Sequence, residues 1–182
     1  MTLANKLTLG RIFLVIPFIT LLSIGGKSLS AGALIIYTIA ALTDYFDGKI
    51  ARKRNEVSDF GKYMDPLADK IFVTAALVIF VGMPEANLPA WPVVIILSRD
   101  LLVGVLRSLA ASRGRVIAAD RTGKFKTAFQ MSAVFISLLI LSLEMKNLTG
   151  YIYYLVLAAA VITIYSGYNY IRVNRDLFRE VI

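Results

Sequence analysis

The sequence predicts an all-α integral membrane protein of six transmembrane helices with a short N-terminal interfacial helix. Three observations predict it. The chain has 182 residues, 58% of them hydrophobic, and a mean hydropathy of +0.71, values that suit a polytopic membrane protein better than a soluble domain. Six apolar stretches come close to the roughly 20 residues that cross a bilayer: 11–24, 30–50, 63–82, 91–112, 125–144 and 151–172. Segments rich in Gly, Pro, Asn and charge punctuate them. The spans use most of the chain, so 1–182 is expected to form one membrane domain.

In chain order, "MTLANKLTLGRIF" carries polar residues where a cleavable signal would already be apolar, and no A-x-A-like site follows. Thr2 to Arg11 is expected to lie at the interface as a short helix leading into the first span. Pro17 is expected to bend that span, which neighbouring helices can accommodate. "GGKS" (25–28), "GMPEANLPAWP" (82–92) and "KNLTG" (146–150) are the outer turns. Trp91, Tyr151, Tyr153 and Tyr154 follow two of them, where interfacial aromatics belong. The cytoplasmic turn "KRNEVSDFG" (53–61) makes spans two and three an antiparallel pair whose polar faces meet. No repeat and no low-complexity tract interrupts the pattern.

Charge follows the same topology. Lys6, Arg11, Lys49, Arg52, Lys53, Arg54 and Lys62 flank the first three spans on one side. Arg113, Arg115, Arg121, Lys124 and Lys126 lie on that side between spans four and five, and Arg172, Arg175 and Arg179 follow span six. The other side offers only Lys27 and Lys146. An excess of Lys and Arg marks the cytoplasmic side, so both termini are expected there. Basic residues that border lipid-spanning helices argue against a nucleic-acid partner. The chain contains no cysteine and no histidine, which removes disulfides, thiolate catalysis, the usual zinc sites and histidine proton shuttles.

Against this background, "DYFDGKIARKRNEVSDFGKYMDPLAD" (44–69) sets four aspartates along two apolar runs. Asp44 and Asp47 share one helix face with Gly48 and Ala51; Asp65 and Asp69 share another with Gly61. Folding the hairpin brings the two faces together. Carboxylates this close cannot all ionise unless cations sit among them. A pair of hard divalent cations would neutralise them and suit displacement at phosphorus. Carboxylates in membrane helices also serve ion or proton transport, and salt bridges to Arg52 or Lys70 are a purely structural use. Spacing alone leaves these alternatives open.

The stretch resembles the signature of the CDP-alcohol phosphotransferase family, D-x2-D-G-x2-A-R-x8-G-x3-D-x3-D, through Asp44, Asp47, Gly48, Ala51, Arg52, Gly61, Asp65 and Asp69, with every gap matching. The resemblance implies that family's fold: six-span membrane enzymes, usually homodimers, that move a phosphatidyl or similar group from a CDP-linked donor to an alcohol and release CMP. It implies two divalent cations, Mg²⁺ or Mn²⁺, on Asp44, Asp47, Asp65 and Asp69, with Asp69 also the general base. Gly48, Ala51, Arg52 and Gly61 would shape the pocket for the CDP-lipid. "NKLTLGR" matches a subfamily pattern N-x-L-T-x2-R and adds Asn5 and Thr8 to that pocket, with Ala4 where proline is frequent.

"SRDLLVGVLRSLAASRGRVIAADRTGKFKTAFQ" (98–130) resembles the phosphatidylglycerophosphate synthase subfamily, through Arg99, Arg107, Gly123, Lys124, Lys126, Thr127 and Gln130. Asp100 stands where glutamate is usual. Arg99 and Arg107, about two turns apart on one helix face, join Lys124 and Lys126 as a candidate site for a phosphorylated acceptor. The resemblance implies CDP-diacylglycerol as donor and sn-glycerol 3-phosphate as acceptor, in a bacterial cell membrane, with the active site open to the cytoplasm. Inositol phosphate or phosphatidylglycerol as acceptor, and a cation or proton transporter, are the competing readings. "SGYNY" (166–170) fits the family less diagnostically.

Overall fold

Gly25 and Gly26 take φ of 74° and 88°, the left-handed region where a side chain is penalised. They let the first helix stop and the second start with only two residues between. In this computed structural model the backbone is described for residues 3–54, 59–112 and 121–175, and side chains for 8–43, 70–112 and 121–175. Every element among the described residues is helical: α1 Leu3–Ile24, α2 Lys27–Arg54, α3 Asp59–Gly82, α4 Ala90–Ser112, α5 Arg121–Ser142 and α6 Gly150–Val173. Short 3₁₀ turns at Pro84–Ala86 and Lys146–Leu148 sit in the α3–α4 and α5–α6 connections. Each helix therefore falls on one of the apolar stretches read from the sequence.

Two segments, Arg121–Ser142 and Lys146–Val173, are long and apolar enough to cross a membrane. Thr8–Ile24, Lys27–Thr43 and Lys70–Gly82 are shorter apolar helical stretches, and α4 carries Arg99, Asp100 and Arg107 within its 23 residues. The exterior is apolar as well. Phe13, Leu101, Leu102, Val105 and Val173 are each about two-thirds exposed, an arrangement that suits contact with lipid and would be an aggregation hazard in water. Hydroxyls inside the helices satisfy themselves locally: Thr38 Oγ1 donates to the Leu34 carbonyl at 2.7 Å and Ser137 Oγ to that of Ala133 at 2.8 Å.

The N-terminal segment departs from expectation. No break separates an interfacial helix from the first span, because α1 runs unbroken from Leu3 through Pro17 to Ile24. Thr8 and Arg11 are buried, so the part of this segment whose side chains are described packs into the bundle. α1 packs along both α2 and α3, and the stretches of that pair where polar faces were expected to meet lie outside the described side chains. Tyr37 of α2 and Phe72 of α3 meet ring to ring at 6.4 Å, and Phe18 of α1, fully buried, packs onto both. Its ring lies 6.1 Å from that of Tyr37 on α2 and 5.3 Å from that of Phe72 on α3, within the range of favourable aromatic pairs.

On the other side of the bundle, α2 packs on α5, and α4 and α5 both pack along α6. Tyr37 Oη donates to the Met131 carbonyl at 3.1 Å, tying α2 to α5. Gln130 Nε2 donates to Thr163 Oγ1 at 3.1 Å, tying α5 to α6 inside the core. The motif residue Gln130 thus serves packing between helices.

Candidate functional site

The backbone sets the aspartates on the two helices that flank α1: Asp44 and Asp47 on α2, Asp65 and Asp69 on α3. Their side chains lie outside the described residues, as do those of Asn5, Ala51 and Arg52 and the surroundings of Gly48 and Gly61. Thr8 is described and is buried in the bundle. Among the described residues no three acidic side chains stand together as a metal site.

The basic residues of the sequence reading do come together. A cavity of about 700 Å³ opens between α4 and α5, at the end of the bundle away from both 3₁₀ turns, with α6 behind it. Arg99, Asp100 and Arg107 line it from α4, and Lys124 and Lys126 from α5. The α3 contribution is Lys70, the residue that follows Asp69 in the chain. Lys70 is the first α3 side chain among the described residues, and the aspartate side chains before it lie outside them.

Within the cavity the cations are not equivalent. Lys126 is buried, its side chain only 4% exposed, and its Nζ donates to both carboxylate oxygens of Asp100 at 2.5 Å. Arg99 Nη1 donates to Asp100 Oδ1 at 3.3 Å, and Nη2 donates to Ser166 Oγ at 2.8 Å. Asp100 is the counter-ion that an arginine this deep in a bundle requires. Arg107 and Lys124 are exposed on the cavity wall. With Lys126 committed to Asp100, Arg107 and Lys124, together with the exposed Lys70 of α3, are the described cations left facing an incoming anion.

Sequence reading missed part of the wall. Ser166 and Tyr170, from "SGYNY", line the cavity from α6, and Gly167 lies under the Arg99 stem, where an added Cβ would come within 3.1 Å of Arg99 Cγ. Their spacing was the available signal: Ser166 and Tyr170 are four apart and share a helix face. Asn169 Nδ2, at 3.4 Å from Thr122 Oγ1, adds a second polar link from this stretch to α5.

A family model for CDP-alcohol phosphatidyltransferase matches residues 1–165. The chain is 40% identical over 191 aligned residues to the CDP-diacylglycerol–glycerol-3-phosphate 3-phosphatidyltransferase of Bacillus subtilis (strain 168), an alignment covering 97% of each protein. It is 38% identical over 184 residues to the protein of the same name from Rickettsia typhi, covering 97% of this chain and 98% of that one.

Proposed function

Because the chain belongs to the CDP-alcohol phosphatidyltransferase family, we propose that it transfers a phosphatidyl group from CDP-diacylglycerol to sn-glycerol 3-phosphate, giving phosphatidylglycerophosphate and CMP. The observation that carries the acceptor assignment is the basic cavity to which α3 contributes Lys70 among the described residues, next in sequence to Asp69. A phosphorylated alcohol with its phosphate against Arg107 and Lys124 would hold its free hydroxyl toward the aspartate stretch. Serine or choline has no use for such a cluster of cations.

In the reaction, Asp69 accepts the proton of the acceptor hydroxyl. The hydroxyl oxygen forms a new bond to the phosphorus that bears the diacylglycerol, and the bond from that phosphorus to CMP breaks. No cysteine or histidine is present as a covalent nucleophile, so a single displacement is the simplest course. Four carboxylates are an all-oxygen donor set of the kind that Mg²⁺ or Mn²⁺ takes. Asp44, Asp47, Asp65 and Asp69 would hold two such ions, which when bound stabilise charge on the pyrophosphate and the departing CMP. Asn5, Thr8, Gly48, Ala51, Arg52 and Gly61 would form the CDP-lipid pocket beside them. The enzyme works as a homodimer of six-span subunits, with both termini and the site on the cytoplasmic side of a bacterial cell membrane. These last features rest on the resemblance and on the distribution of basic residues.

CMP release from CDP-diacylglycerol tests the reading. Purified protein with Mg²⁺ or Mn²⁺ is expected to release CMP with glycerol 3-phosphate, and to do so far more slowly with inositol phosphate, phosphatidylglycerol or serine. Asp69→Asn is expected to abolish turnover while retaining much of the affinity for CDP-lipid. Failure to release CMP with any of the four acceptors would sink the enzymatic reading and return the aspartates to transport.

A further inference from the structure

We propose that Asp100 is a positioning residue, one carboxylate that ties α4 to α5 beside the basic cavity and so sets the cavity's wall for the acceptor phosphate. The inference rests on the acceptor reading above and deepens it. Both helices pack along α6 and come close to each other at few points, so a direct link between them bears on their separation at the cavity. The Asp100–Lys126 ion pair spans that separation directly, with both carboxylate oxygens engaged.

The same carboxylate holds the second cation. Asp100 Oδ1 accepts from Lys126 and also from Arg99 Nη1. Arg99 is fixed on its far side by Ser166, and its stem crosses α6 at Gly167, where even a methyl group would crowd it. Arg99 and Lys126 are thus tethered parts of the wall. Arg107 stands eight residues after Arg99 on the same helix and Lys124 two before Lys126 on its own. Shifting either helix at the Asp100 strut moves Arg107 and Lys124 relative to each other. A dianionic phosphate bridging Arg107 and Lys124 is sensitive to that spacing, since charge-assisted hydrogen bonds weaken outside a narrow range of distance. The CDP-lipid, assigned to the aspartate stretch, is not.

Steady-state kinetics of Asp100→Asn, Asp100→Glu and Gly167→Ala separates positioning from mere stabilisation. Asp100→Asn is expected to raise the glycerol 3-phosphate KM about tenfold or more, as loss of an ion-pair support should, and to leave the CDP-diacylglycerol KM unchanged. Asp100→Glu keeps the charge and is expected to recover most of the loss. Gly167→Ala changes no charge yet displaces Arg99, and is expected to move the acceptor KM in the same direction. An unchanged acceptor KM in folded Asp100→Asn, or a parallel rise in both KM values, overturns the proposal. If Asp100→Asn does not insert, Gly167→Ala and Ser166→Ala carry the same test. Thermal stabilisation by inorganic phosphate supplies a readout without turnover: wild type and Asp100→Glu are expected to gain stability and Asp100→Asn to gain none. Wild type stabilised by phosphate but releasing no CMP would fail the reaction and keep the strut. Wild type showing no stabilisation would overturn the strut as well.

Discussion

Lys124 and Lys126 show how much one helical step changes the meaning of a charge. Residues two apart on a helix point about 200° from each other, so they cannot serve one ligand in the same way. Lys126 faces inward onto Asp100, and Lys124 stands exposed at the cavity. Removing Lys126 leaves a largely buried carboxylate with only the weaker Arg99 contact. Breaking a buried pair from one side costs about 3–5 kcal/mol. Lys126→Ala is therefore expected to lower the midpoint of thermal unfolding in detergent by several degrees or to prevent insertion. Lys124→Ala removes an exposed cation and is expected to change stability by about 0.5 kcal/mol or less. Its effect should appear in the glycerol 3-phosphate KM, with CDP-lipid binding preserved. Loss of CDP-lipid binding in Lys124→Ala would show that the cavity had been assigned to the wrong substrate.

At the scale of elements, turn chemistry and apolar length were legible, and tertiary partnership was not. Gly, Pro and Asn clusters placed the connections on the α1–α2, α3–α4 and α5–α6 boundaries, and the helices begin and end within a few residues of the expected spans except at the N-terminus. Hydropathy reports the solvent a segment meets, not its neighbour. It could not tell that α1 runs on unbroken from Leu3 with Thr8 and Arg11 buried, nor that Phe18 would pack onto Tyr37 and Phe72 together. "KRNEVSDFG" suggested an antiparallel pair because a short link reverses the chain; residues 55–58 and the side chains of 44–69 lie outside the described residues, so the meeting of the two polar faces stands on the sequence alone. The aspartate side chains lie outside the described residues, so their spacing stands as a reading of the sequence. The spacing of Ser166 and Tyr170 marked a shared face, but its use depends on Arg99 of another helix, which no spacing reveals. The α1–α2 link itself gives a clean prediction. An added Cβ at Gly26 meets no atom within 4 Å, so the cost of Gly26→Ala is all backbone, about 1–2 kcal/mol for a left-handed non-glycine residue. A correspondingly lower unfolding midpoint with unchanged KM values would confirm it, and an altered acceptor KM would mean that this turn and the distant cavity are coupled.

At the scale of the whole molecule, function depends on which end of the bundle faces the cytoplasm. Six helices joined in alternation put the α1–α2, α3–α4 and α5–α6 connections at one end, and the start of α1, the end of α6 and the basic cavity at the other. An excess of Lys and Arg in the connecting segments marks a cytoplasmic end, and under the proposed function a water-soluble acceptor phosphate would reach Arg107 and Lys124 from that side without crossing lipid. The chain has no cysteine, so single cysteines can be introduced without removing any. Glu85, Lys146, Ser112 and Arg175 are all exposed, the first two at the turn end and the last two at the basic end. In intact cells a membrane-impermeant maleimide is expected to label Glu85→Cys and Lys146→Cys. Ser112→Cys and Arg175→Cys should react only after permeabilisation. The reverse pattern would open the cavity to the outside, and the acceptor assignment could not survive it; labelling of all four in intact cells would show that the bundle does not span the membrane in this alternating order.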